Sequence, residues 1–188
     1  MYTFGGIYLD TDVELLKPLD PLLKYGAFFG FEDGVHINTG LGFGAEQHSY
    51  AVKRMLADYE SIPFLKDDGS FDTTACPVRN TEALKSFGLI QDNTLQILNG
   101  NTAIFPSSYF CPIDYRTGKK RITKNTIAIH WFSMSWKSEA QKELHNAHAR
   151  AARKADRVHW LRHLPNLILR KILGESNYQL LKQAIKKG

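Results

Sequence analysis

The chain has two cysteines in 188 residues, Cys76 and Cys111, and neither has a CxxC partner. That scarcity argues against a structural zinc site or a disulfide framework and leaves two reduced thiols, as expected of a cytoplasmic protein. No run of about 18 apolar residues occurs, so no membrane-spanning helix is expected. The first residues lack a basic segment followed by an apolar core, so no secretory leader is expected either. Repeats and low-complexity tracts are also missing. An apolar share of 43% with 12% aromatics is nevertheless enough for a folded core.

Charge is present but uneven. Residues 137–188 hold 12 Lys and Arg against 4 Asp and Glu, whereas residues 1–136 hold 12 against 15. The net charge of +5 therefore describes the tail and not the body. Such asymmetry points to an anionic partner for the tail. Its charges interleave with Leu, Ile and Trp instead of stacking aromatics, which favours an anionic membrane surface over nucleic acid; helices that pack on the body with solvated charges are an equal alternative.

The apolar pattern predicts a mixed α/β protein. "GGIYL" at 5–9 reads as a short buried strand, and "KPLDPLL" as a turn with a short helical segment. "GVHINTGLGFGA" reads as glycine-punctuated strand, and residues 46–59 have helical spacing. A further short helix is expected with Asn80 as N-cap and Gly88 just past its end. Strands are expected at 95–98, 103–106 and 126–132, with "DYRTGKKR" as a surface turn. In the tail, Ser138 with Gln141 and Ser176 with Gln179 form capping-box patterns, and breaks at Pro165 and Gly174 are expected to divide three helices. An alanine stripe through Ala140, Ala147, Ala151 and Ala155 marks the first of these.

Asp10 and Asp12 follow the first apolar run at a spacing of two. In extended backbone that spacing puts both carboxylates on one side, at the end of a strand where open α/β sheets place ligands. Hard oxygen donors suit Mg²⁺ or Mn²⁺, and such a cation favours a diphosphate as its remaining ligand. Taken alone, the pair is also an ordinary solvated turn.

"GGIYLDTDVELLKPLDPLL" resembles the DXD block of glycosyltransferase family 32, the capsular-polysaccharide and mannosyltransferase-like enzymes. "INTGLGFGAEQHSYAVKRMLADYE", "TTACPVRNTEALKSFGL" and "IFPSSYFCPID" with "TIAIHWFSMSW" are similar to the family's later blocks, in the same order. The resemblance covers residues 2–136. It implies the C-terminal portion of a GT-A-type catalytic domain over 1–136, with 137–188 as a basic helical extension.

The resemblance also implies a metal-dependent, retaining transfer of sugar from a UDP- or GDP-sugar to a cell-surface glycan or glycolipid. Asp10 would bind the ribose or donor sugar and Asp12 the cation. Asn38 would face the donor sugar, and His130 would add a metal or phosphate contact. Ser133 or Ser135, with Trp136, would close over the diphosphate. The residues alone leave other roles open: Asn38 could satisfy backbone in a turn, His130 could be a core histidine, and Trp136 could be plain core. In the family a nucleotide-binding half precedes the DXD block, whereas only Met1 to Phe4 precede Gly5 here. A non-catalytic glycan- or partner-binding remnant is therefore the alternative expectation.

Overall fold

The computed structural model describes residues 1–135 and 137–187, with the side chains of 162, 165 and 184–187 left aside. It divides into two compact units, Met1–Ser133 and Met134–Gly188. The first carries seven strands: β1 (Gly6–Tyr8), β2 (Val13–Leu15), β3 (Ala27–Gly30), β4 (Phe43–Ala45), β5 (Gln96–Leu98), β6 (Thr102–Phe105) and β7 (Ala128–His130). Its helices are α1 (Tyr50–Glu60), α2 (Cys76–Lys85) and the single turn α3 (Ser107–Phe110). Five strands form a mixed sheet in the order β1-β4-β3-β6-β5, in which only β3 and β6 run parallel. β2 and β7 pair separately and antiparallel. The mixed α/β class expected of a partial GT-A-like domain is thus observed, with a helical C-terminal part.

Alternation along the two central strands divides the core. Ala27, Phe29 and Ile104 enter one apolar cluster with Val52, Met55 and Leu84 from α1 and α2. Phe28, Ala103 and Phe105 enter the other, with Phe110 from α3 and Leu41. Gly44 sits opposite Phe28 on the neighbouring strand, and a Cβ there would lie 2.2 Å from the Phe28 ring. Glycine at this position is what lets the ring lie flat over β4.

Several expectations change. β1 forms, but its three residues are exposed, because it is the edge strand and pairs only with β4. β3 was not anticipated: four residues flanked by glycine, buried on both sides, show no polar alternation to read. In "GVHINTGLGFGA" only the last residues form a strand; Thr39–Leu41 is a short 3-10 turn. α2 starts four residues before the expected N-cap, because Pro77 occupies its first turn. Asn80 is instead buried inside the helix, donating to Thr39 Oγ1 at 3.2 Å and Cys76 Sγ at 3.0 Å.

The loop before α2 is tied by Asp72, which accepts from Thr74 N–H at 2.9 Å and pairs with Arg79 at 2.7 Å. Bonds from Thr74, then Arg79, hold this carboxyl well below the usual carboxylate range. A depressed folded-state pKa gives stability that is present above the unfolded value, about 3.9, and lost as pH falls below it. Asp72→Asn should therefore flatten the acid limb of a stability–pH profile below about pH 4 while changing its slope little near neutrality. Urea unfolding across that range checks this, and an unaltered acid limb would count against it.

The second unit is helical over α4 (Glu139–Lys187), two helices that meet at a kink. The first capping box forms as expected, with Ser138 N–H donating to Gln141 Oε1 at 3.0 Å and Gln141 N–H to Ser138 Oγ at 3.3 Å. The backbone stays helical through position 165; it breaks only at Gly174, where φ is 74° and ψ 159°. An interior proline removes one hydrogen bond and kinks a helix without necessarily ending it. A residue in that glycine conformation cannot continue the helix at all. The alanine stripe is exposed, with Ala149 beside it as the buried position.

Candidate metal and donor site

Asp10 and Asp12 converge through a turn, not through the pleat of a strand. β1 ends at Tyr8, and Val13 N–H donates to Asp10 carbonyl at 3.1 Å, closing a four-residue turn before β2. β2 then pairs with β7 in a register that sets Val13 opposite His130. Trp131 N–H extends the ladder to the Asp12 carbonyl at 3.0 Å. A turn at one strand's start and a histidine at its partner's end thus meet at one point.

The resulting cluster is Asp10, Asp12 and His130, with one ligand atom from each within 4.8 Å of the others. His130 Nε2 lies 3.2 Å from Asp12 Oδ1 and 3.5 Å from Asp10 Oδ2. Its ring is buried, packs edge-on against Phe132, and has an Nδ1 with no hydrogen-bond partner. All the polar contacts of this imidazole are made through Nε2, which faces the carboxylates. Neighbouring ligands of an octahedral Mg²⁺ or Mn²⁺ lie roughly 3 Å apart, given bonds of about 2.1 Å. Two carboxylate oxygens and one imidazole nitrogen therefore fit such a cation.

Each carboxylate is held. Asp12 Oδ2 accepts from Ser133 N–H at 2.8 Å and Ser133 Oγ–H at 2.9 Å. Burial opposes its charge, but the Ser133 bonds and nearby His130 outweigh it and leave Asp12 below the ordinary carboxylate range. Phe132 takes a left-handed φ of 51° to bring Ser133 round, a conformation costly for a bulky residue. Asp10 Oδ1 accepts from Tyr8 hydroxyl at 2.8 Å, and that bond to a carboxylate raises the tyrosine pKa. Asp10 also lies against Gly40, where a Cβ would come within 2.5 Å of its Oδ2.

Asn38 does not join the cluster but adjoins it. Its Oδ1 accepts from Gly40 N–H at 2.8 Å, capping the turn that presents Gly40 to Asp10. Burial raises the pKa of nearby Glu32, and the Asn38 side chain partly opposes that shift. Ser133 touches Asp12; Ser135 is an exposed turn residue of the second unit. Trp136 lies outside the described residues. Sequence reasoning did not single out Tyr8, although it shares the period-two spacing of Asp10 and Asp12. Gly40 carried no signal, because its value is the absence of a side chain beside Asp10.

Residues 1–29 match the family model of the glycosyltransferase sugar-binding region containing a DXD motif. The match includes both aspartates and supports a glycosyltransferase-type function. It spans a short N-terminal segment and does not single out family 32. No curated protein and no solved structure gives a significant match.

Proposed function

We propose that the protein is a metal-dependent, retaining glycosyltransferase of the family 32 type. It moves a sugar from a UDP- or GDP-sugar to a cell-surface glycan or glycolipid. The observation that carries this reading is the convergence of Asp10, Asp12 and His130 within 4.8 Å, inside and opposite a segment matched to a DXD sugar-binding region. Residues 1–136 are then the acceptor-side portion of a GT-A-type domain, and 137–188 an extension.

In this scheme Asp12 and His130 hold Mn²⁺ or Mg²⁺, which supplies charge neutralisation for a departing diphosphate. Ser133 keeps the Asp12 carboxylate oriented and ionised. Asp10, fixed by Tyr8, is left to bind the donor ribose or sugar hydroxyls. Asn38 shapes the Gly40 turn against Asp10, so its part in donor binding is positional. Ser135 and Trp136 remain the proposed contacts to the diphosphate. Transfer is by direct displacement at the sugar, with the acceptor hydroxyl attacking on the face that the nucleoside diphosphate leaves.

The test is a panel of UDP- and GDP-sugars with Mn²⁺, scored for donor hydrolysis and transfer, on this chain and on one extended upstream. Hydrolysis of one donor that requires Mn²⁺ and is lost in Asp12→Asn supports the reading. Metal-independent turnover would overturn it.

The tail's proposed partner is an anionic membrane surface. Among the described residues no helix is long and apolar enough to cross a bilayer. Trp160, Leu161, Leu167, Ile168 and Ile172 are nonetheless exposed on α4 beside Arg170 and Lys171, within a segment of net positive charge. Each cation near an anionic surface contributes about 1 kcal/mol. Co-sedimentation with phosphatidylserine vesicles should exceed that with neutral vesicles and fall at high salt; binding indifferent to both would remove the membrane partner.

A further inference from the structure

A cavity of about 870 Å³ opens in the first unit, within the usual range of ligand pockets, about 300–1,000 Å³. Its wall includes Glu32, close to Asn38, whose Oδ1 accepts from Gly40 N–H beside Asp10. Glu32, Asn93, Ser107, Ser108, Lys119 and Arg121 all line the cavity, together with Asp33, which pairs with His36, and Asp114, whose carboxylate accepts from Thr117 N–H.

Lys119 and Arg121 are exposed, but a hairpin fixes which way they point. Asp114 N–H donates to Lys119 carbonyl at 3.0 Å and Arg121 N–H to Pro112 carbonyl at 2.7 Å, with Ile113 bridged to Lys120. This tight hairpin alternates its side chains. Lys119 and Arg121 line the cavity, while Lys120 sits over the Trp131 ring at 4.1 Å. Lys119 and Arg121 form no ion pair among the described residues. Two cations without ion-pair partners among the described residues, in one cavity lining with Ser107, Ser108 and Thr123, suit a ligand with both an anionic group and sugar hydroxyls. A partly buried carboxylate such as Glu32 repels a nucleoside diphosphate but accepts from neutral hydroxyls.

We propose that this cavity binds the acceptor, and that the acceptor is a saccharide bearing a carboxylate or phosphate. Lys119 and Arg121 take the anion, and Glu32 with the serines takes the hydroxyls. The word acceptor rests on the glycosyltransferase reading above; the saccharide site does not.

The experiment is calorimetric titration of the full chain in metal-free buffer with three probes: a glucuronate-terminated disaccharide, a disaccharide phosphate and their neutral counterpart. Either charged probe should bind at least about tenfold tighter than the neutral one, the scale of one charge-assisted contact. Lys119→Gln/Arg121→Gln should erase that difference with an unchanged unfolding temperature. Whichever charged probe binds tighter identifies the anion. The proposal falls if no probe binds, if the neutral sugar binds equally, or if inorganic phosphate binds as tightly as the saccharides. It also falls if the double variant loses UDP binding but keeps saccharide discrimination. Mn²⁺ titration of the same variant should match the parent. A parent that binds neither Mn²⁺ nor any donor, yet discriminates among saccharides, would remove the transferase reading and keep the binding site.

Discussion

Asp12→Asn should lower Mn²⁺ affinity by more than about 100-fold, beyond the 10–100-fold typical of residues that only orient a ligand. Asp12 is the more fixed carboxylate: its side chain is 15% exposed against 37% for Asp10, and two Ser133 donors hold it. The asparagine keeps the shape but removes the charge that a hard cation requires. Asp10→Asn should cost less, because Asp10 accepts one hydrogen bond, from Tyr8, lies farther from His130 than Asp12 does, and is assigned to the donor. Ser133→Ala should fall between the parent and Asp12→Asn, through loss of orientation alone. Gly40→Ala adds a methyl against Asp10 Oδ2 and should alter donor binding more than Mn²⁺ binding. Paramagnetic titration of the variants measures all four. Asp12→Asn with the parent's Mn²⁺ affinity would remove the metal assignment.

The second large effect is expected in the core, far from any charge. Gly44→Ala should destabilise the first unit by about 1–3 kcal/mol, the usual cost of forcing a side chain into a packed core. That corresponds to a fall of roughly 2–12 °C in Tm for a protein of this size. The added Cβ would lie 2.2 Å from a ring carbon of Phe28, which is buried and stacked 6.1 Å from Phe110. Burial and the stacked Phe110 ring limit its movement. Phe28→Leu costs packing by itself but should relieve the clash, so the double variant should be more stable than the sum of the single losses. Differential scanning calorimetry of the four proteins decides it. Strict additivity, or a Tm for Gly44→Ala within about 1 °C of the parent, would show that Phe28 repacks freely.

Locally coded features were legible in the sequence. The mixed α/β class, strands β5, β6 and β7, helix α1, the Ser138–Gln141 cap and the aspartate pair all depend on neighbours within a few residues. Periodicity, capping chemistry and the DXD block report such features directly. β3 was not legible, because four residues buried on both sides and bounded by glycines look the same as any short apolar run. The start of α2 was misread for a related reason: an asparagine is a good cap in isolation, but Pro77 upstream had already set the first turn.

What tertiary structure alone decided is how separate pieces meet. Nothing local says that β2 pairs with β7, and that pairing brings His130 across 120 residues to Asp10 and places Ser133 on Asp12. Nothing local says that β1 is an edge strand, or that Lys119 and Arg121 share a cavity while Lys120 turns to Trp131. The sequence by itself determined which chemistry-bearing groups exist and which backbone conformations they favour. Long-range pairing decided which of them act together, because the burial and hydrogen bonding that select a register are properties of the whole sheet.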